Sequence, residues 1–343
     1  MVAWEVTRRC NLACVHCRAS SAGGPYEGEL DTPEAFQLID QIASVGKPVV
    51  ILTGGEPLLR QDIFEIAARG QGRGLRMVLA TNGTLVTEET VRRMIEGGIQ
   101  RVSVSLDGQD AATHDAFRSV PGAFSGAMAG IEALKKAGMD FQINTTVTRG
   151  NIENLWGIME LAVSNGAAAH HIFLLVPTGR GKYIADQGMS ALEYEKTLNR
   201  FFERSLDWPI PLKATCAPHY HRISHQRQGE RPVVPEYSGQ QHFHSMTRGC
   251  LGGSSFCFIS HRGQVQPCGY LEIDCGQVRE KHFAELWNDS SIFNELRDLN
   301  RYGGKCGRCP FIQVCGGCRA RAYELTGDYL AEEPLCSYEP DNQ

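Results

Sequence analysis

The chain has 343 residues, 42% of them hydrophobic and 21% charged, with a net charge of −5; that length buries a sizeable core in one large or two modest domains. The slight acidity excludes a global basic footprint for nucleic acid. No run nears the ~18–20 apolar residues that span a bilayer, and the opening MVAWEV lacks the basic, apolar and small-residue pattern of a secretory signal, so a cytoplasmic chain with no membrane partner is expected. Thirteen cysteines need a reason. Their odd number and a reducing compartment argue against a disulfide framework, and metal ligation is the economical alternative.

In chain order, a strand is expected at 2–6 (VAWEV), followed at once by Cys10, Cys14 and Cys17, spaced C-x3-C-x2-C. A closed structural metal site takes four protein ligands; three leave one position for something else. Thr32-Pro33 then reads as a helix start with proline in the first turn, and apolar positions at Ala35, Phe36, Ile39, Ile42 and Ala43 continue it to Gly46. Further strands are expected at 48–54, 76–83, 101–108, 141–148 and 171–179, nearly continuous in apolar content, as in parallel strands covered on both faces. Helical patterns separate them around 124–138 and 155–166, and another runs over 190–205. Six strand–helix units make a partial (β/α)6 barrel, an α/β fold over residues 1–205, whose chemistry belongs at the C-terminal ends of the strands. Residues 206–249 hold five prolines and the histidines 219, 221, 225, 242 and 244, and are expected to form a linker covering the barrel mouth. Residues 250–343 are glycine- and cysteine-rich and are expected to form a small domain held more by metal than by apolar core.

Closely spaced thiolates hold zinc or iron–sulfur clusters, and a four-iron cluster on three cysteines keeps one iron free. A C-x3-C-x2-C triad just after the first barrel strand, with TGGEP (53–57) ending the second, resembles the radical S-adenosylmethionine (SAM) superfamily. The resemblance implies a [4Fe-4S] cluster on Cys10, Cys14 and Cys17, SAM chelating the free iron, and reductive cleavage to a 5′-deoxyadenosyl radical. It also implies that Gly54 and Gly55 admit a close ligand and that Glu56 accepts from the methionyl ammonium. Other strand ends supply cofactor candidates: Ser105 and Arg118 for the SAM carboxylate, Thr146 and Thr148 for ribose, Leu175 and Val176 for adenine, and Asn82 at the end of strand three.

Cys250, Cys257, Cys268, then Cys306, Cys309, Cys315, Cys318 and Cys336, with Gly263 five before Cys268, resemble the SPASM extension of such enzymes. That resemblance implies one or two auxiliary [4Fe-4S] clusters, the first on Cys250, Cys257, Cys268 and Cys318 and the second on Cys306, Cys309, Cys315 and Cys336. Cys216 and Cys275 remain as free buried thiols, with Cys275 a substitute ligand.

Strings along nearly the whole chain, among them HDAFRSVPGAF, HIFLLVPTGRG, LKATCAPHY and CGGCRARAY, resemble the heme b synthase family of the siroheme-dependent heme pathway. This implies an oxidoreductase that oxidatively decarboxylates two propionates of iron-coproporphyrin III to vinyls, as a monomer with an external low-potential electron donor. Arg18, Arg180, Lys213, His219, His221 and Arg222 are the candidates for the propionates, because cations pair with carboxylates. His170, His171 and the histidines of 206–249 are candidates to approach the iron. The alternatives are a related tetrapyrrole enzyme (a didecarboxysiroheme deacetylase or one of heme d1 biosynthesis), a SPASM peptide maturase, against which the start of the chain at the barrel weighs, and a non-catalytic iron–sulfur electron carrier.

Overall fold

The computed structural model describes residues 1–227 and 248–341. Its backbone is one nine-stranded sheet in the order β7-β6-β5-β4-β3-β2-β1-β8-β9. The six expected strands are β1 (Val2–Thr7), β2 (Val49–Gly54), β3 (Arg76–Thr81), β4 (Ile99–Ser105), β5 (Phe141–Val147) and β6 (Ala169–Leu174). Neighbours among them are all parallel, which requires the crossover helices seen between them: α1 (Thr32–Val45), α2 (Ile63–Gly72), α3 (Glu88–Glu96), α4 (Ala111–Arg118), α5 (Ala123–Lys136) and α6 (Leu155–Ser164). α1 begins one residue earlier than its proline suggested. Asp31 is the N-cap, accepting from the Glu34 N–H while Glu34 reaches back to the Asp31 N–H, and this reciprocal pair outcompetes Thr32.

Residues 206–249 differ from the expected linker where they are described. Leu212–Thr215 form β7, parallel to β6, between α7 (Ala191–Asp207) and α8 (His219–Gln226). Ala214 packs under these helices with Leu198, Phe201, Phe202, Ile172 and Leu174, while Lys213 and Thr215 alternate to the opposite face, as a strand's period of two requires. His242 and His244 lie outside the described residues.

The helix-facing side chains of β1 to β5, such as Trp4, Leu52, Leu79, Val104 and Ile143, form the main core. Each fully buried Leu, Ile or Phe is worth about 1.5–3 kcal/mol relative to exposure. The other edge of the sheet is completed from the C-terminal region: β8 (Cys257–Ile259) runs parallel to β1 and turns back as β9 (Val265–Gln266). The junction is tied by His261 Nδ1 and the Glu5 carboxylate at 2.8 Å. Burial alone would raise Glu5, but His261, Arg18 and Arg8 outweigh it and hold the carboxyl near 2. All thirteen cysteines are free. Among the described residues no helix is long and apolar enough to cross a membrane.

Candidate functional site

The triad lies in the loop leaving the C-terminal end of β1, and neighbouring strand ends brace that loop. The N–H groups of Gly55 and Glu56 donate to the carbonyls of Thr7 (2.9 Å) and Arg9 (2.7 Å). A Cβ at either glycine would drive into those carbonyls, so here the glycines serve strand-to-loop approach. From β3, Asn82 Nδ2 donates to Asn11 Oδ1 at 2.9 Å. From the far side, Arg180 donates through Nε to the Cys14 carbonyl and through Nη1 to the Ser21 carbonyl, both at 2.8 Å.

Within this frame Cys10 and Cys14 are buried and Cys17 half-buried. Each sulfur has a donor aimed at it: Leu12 N–H to Cys10 (3.4 Å), Ser21 N–H to Cys17 (3.4 Å) and Arg118 Nη1 to Cys14 (3.6 Å). Burial pushes the Cys10 thiol up to about 11, so ligation releases its proton and gains pH dependence. Clustered thiols with N–H and guanidinium donors fit a thiolate-bound iron–sulfur group, whose potential such donors tune.

Arg118 is held from behind by Asp107, its Nη2 2.5 Å from Oδ2, and Asp107 Oδ1 accepts the Thr146 N–H at 2.7 Å. Glu56 is fully buried and accepts from Leu58 N–H (3.1 Å), Thr81 Oγ1 (2.8 Å) and Asn82 N–H (2.8 Å). Burial lifts its carboxyl to about 6 against those three donors. One acceptor position on Oε2 remains beyond these three bonds.

The barrel lumen carries a polar row. Register aligns Ser105 with Asn144, Asn144 with His171, and His171 with Lys213, across β4 to β7. Gln142 Nε2 joins this face, 2.9 Å from both Asn144 Oδ1 and His171 Nδ1. Burial lowers Lys213 to about 8, and burial with Lys213 nearby lowers His221 to about 4. The six substrate candidates therefore divide. Lys213 and His221 meet in this region. Arg180 braces the triad loop, and Arg18 lies over the Phe258 ring (4.2 Å) with Nη2 3.5 Å from Glu5. His219 and Arg222 line a different cavity, with Arg222 Nη2 2.5 Å from Glu195. Leu175 follows the last residue of β6, its carbonyl accepting from Arg321 at 3.4 Å. Thr148 caps a local turn with Asn151, and Val176 is buried toward the C-terminal region. His170 faces the helices and bonds Thr145 Oγ1 (2.8 Å).

That different cavity is ringed by Cys306, Cys309, Cys315 and Cys336. Glu333 N–H and Arg319 Nη2 donate to the Cys306 sulfur (3.4 and 3.6 Å) and Gly317 N–H to that of Cys315 (3.5 Å). Among the described residues no three such side chains converge on a point that would hold a single ion; these four surround a volume instead. The other expected set is not assembled as expected. Cys257 sits in β8 opposite Val2 and is built into the main apolar core, with Cys275 and Arg297 nearby. Beside Cys268 and Cys318 stands Cys216, which sequence spacing left unassigned. Its signal was the alternation LKAT ahead of it, which places it at the end of a barrel strand.

Comparison with known proteins agrees with this geometry. Residues 4–162 match the Radical SAM superfamily and residues 250–318 the SPASM iron-sulfur cluster-binding domain. The chain is 55% identical over 342 residues to an AdoMet-dependent heme synthase of Nitratidesulfovibrio vulgaris, covering 99% of this chain and 92% of that one. Identity to an Fe-coproporphyrin III synthase of Methanosarcina barkeri is 31%, over 98% of this chain and 87% of that one. A crystal structure of Streptococcus suis SuiB bound to S-adenosylmethionine shares the fold, with a TM-score of 0.74 at 16% identity over 98% of this chain and 77% of SuiB. The chain belongs to the radical SAM superfamily, in the family of AdoMet-dependent heme synthases, and is an iron–sulfur, SAM-dependent enzyme of heme biosynthesis.

Proposed function

We propose that this heme synthase family member takes iron-coproporphyrin III into the barrel lumen and converts two of its propionates to vinyls, giving heme b. The cluster on Cys10, Cys14 and Cys17 with SAM supplies hydrogen-atom abstraction from a propionate β-carbon. The chain's own residues do the rest. Lys213, at the end of the half-buried row Ser105–Asn144–His171, is a cation whose hydration the lumen restricts, and an anionic carboxylate is the partner that offsets its desolvation. That half-buried lysine carries the substrate class in this reading. His221 beside it supplies a neutral ring at physiological pH. Arg118 and Asp107 hold the Cys14 side of the triad, and Glu56 keeps one oxygen position open for an ammonium donor.

Each propionate that becomes a vinyl gives up CO2, one hydrogen atom and one further electron. The electron needs an acceptor near the mouth, where the C-terminal cysteine sites stand. A barrel whose parallel strands continue to β7, with α8 beyond it, and an auxiliary domain over 250–343 serve this arrangement. The enzyme acts in the cytoplasm with an external reductant.

Anaerobic incubation of the reconstituted enzyme with SAM, reductant and iron-coproporphyrin III tests the reading. The expected product has lost two CO2 and four hydrogens. Deoxyadenosine formed with no change in the tetrapyrrole overturns it in favour of a sister substrate.

A further inference from the structure

Cys216 follows β7 directly, at the barrel mouth, with φ +55. A residue other than glycine keeps that left-handed conformation when its surroundings demand it. The demand is visible: its carbonyl accepts from Tyr194 Oη (3.0 Å) and Arg321 Nη2 (2.9 Å). Arg321 also pairs with Glu333 (3.3 Å), and Glu333 Oε2 accepts the Cys318 N–H at 2.7 Å. One buried ion network thus fixes the backbones of Cys216 and Cys318 together. Cys216 and Cys268 pack against the apolar cluster that contains Cys318, and Cys318, Cys268 and Cys250 all lie close enough to act electrostatically on the Cys216 sulfur. Cys250 closes the group, since a Cβ on Gly252 would touch both Cys268 Cβ (3.6 Å) and Cys250 Sγ (3.9 Å). Cys257 lies in β8 beside Val2 and belongs to the main apolar core, where its charged neighbours are the N-terminus, Cys275 and Arg297.

We propose that Cys216 is the fourth protein ligand of the first auxiliary four-iron cluster, with Cys250, Cys268 and Cys318, and that Cys257 is a core residue. The proposal rests on the reading that the C-terminal domain carries two such clusters. Because Cys216 belongs to the barrel, the cluster staples the two domains. Cys216 also stands three residues beyond Lys213 of β7, the strand that lines the lumen.

The test uses the full chain with Cys10, Cys14 and Cys17 replaced by Ala, so that only the auxiliary sites load. Adding Cys216→Ala is expected to remove about half of the remaining iron and acid-labile sulfide, one four-iron cluster of two, together with one reduced-state EPR signal. Cys257→Ala keeps both signals. Full iron in Cys216→Ala, or equal loss in Cys257→Ala, overturns the proposal. Where the alanine chain does not accumulate, Cys216→Ser decides: oxygen ligation shifts one cluster's EPR spectrum, and an unchanged spectrum overturns the assignment. A triad-free parent that takes up no iron fails the two-cluster reading instead, which separates the two failures.

Discussion

The barrel and the C-terminal region solve the same problem by different physics. The barrel buries long apolar rows between sheet and helices. The C-terminal region has a small apolar cluster of Leu271, Leu296, Cys318 and Ala320, which Val176 joins from the barrel. Its centre is polar instead: Glu333, Arg319 and Arg321 are all buried, and their hydrogen bonds include ones to the Cys306 sulfur and to the backbones of Cys216 and Cys318. A core of hydrocarbon is complete when the chain folds. A core of thiols and charges is complete when its inorganic partner arrives.

The largest expected effect is on chemistry held by the barrel. Cys14→Ala is expected to reduce 5′-deoxyadenosine formation to background while circular dichroism stays unchanged; SAM cleavage that persists would end the triad assignment. Next, anaerobic removal of iron by chelation should expose residues 250–341 to protease before residues 1–205. If the barrel is cut first, the contrast between the two regions is lost. Third, Glu333→Gln leaves Arg321 buried without its counter-charge and should cost about 3–5 kcal/mol, read by denaturant unfolding together with iron content. Fourth, Leu79→Ala, in the middle of β3 and fully buried, should cost about 2–5 kcal/mol yet leave iron content per folded chain unchanged.

The smallest effect concerns Lys213. Folding lowers it from 10.5 to about 8 through burial. The folded chain holds this proton less tightly than the unfolded chain, so the group's contribution to stability is present above pH 10.5 and is lost as pH falls through about 8. Substrate binding has the opposite sign, because a carboxylate wants the charged form. KM for the tetrapyrrole should therefore rise as pH climbs past about 8. Lys213→Met should raise KM about tenfold, which is about 1.4 kcal/mol, and flatten that rise. A pH profile identical in Lys213→Met removes the lysine from the substrate site.

Much of the barrel was legible because nothing competes with hydrophobic periodicity there: strands such as RMVLAT and FQINTTV stand between clear helical patterns. β7 was hidden, being four residues long with a lysine in the middle and prolines on both sides. β8 and β9, of three and two residues, were masked by the cysteine pattern drawn over them. The SPASM resemblance implied Cys257 as a ligand, and the structure sets it in β8 with Phe258 and Ile259, all three buried. Motif spacing shows which cysteines are close in sequence; Cys216 reaches its neighbours through the fold. The arginines were readable as charges, but whether Arg180 meets a carboxylate or the carbonyls of Cys14 and Ser21 depends on loop paths.

The strand that carries the triad is interior to the sheet, flanked by β2 and β8, and its Glu5 bonds His261, 256 positions away. On a ribosome, that partner emerges only after most of the chain has been made. The first strand must wait with one edge bare through most of translation, so assembly factors that deliver iron and sulfide would meet a finished polypeptide rather than a nascent one.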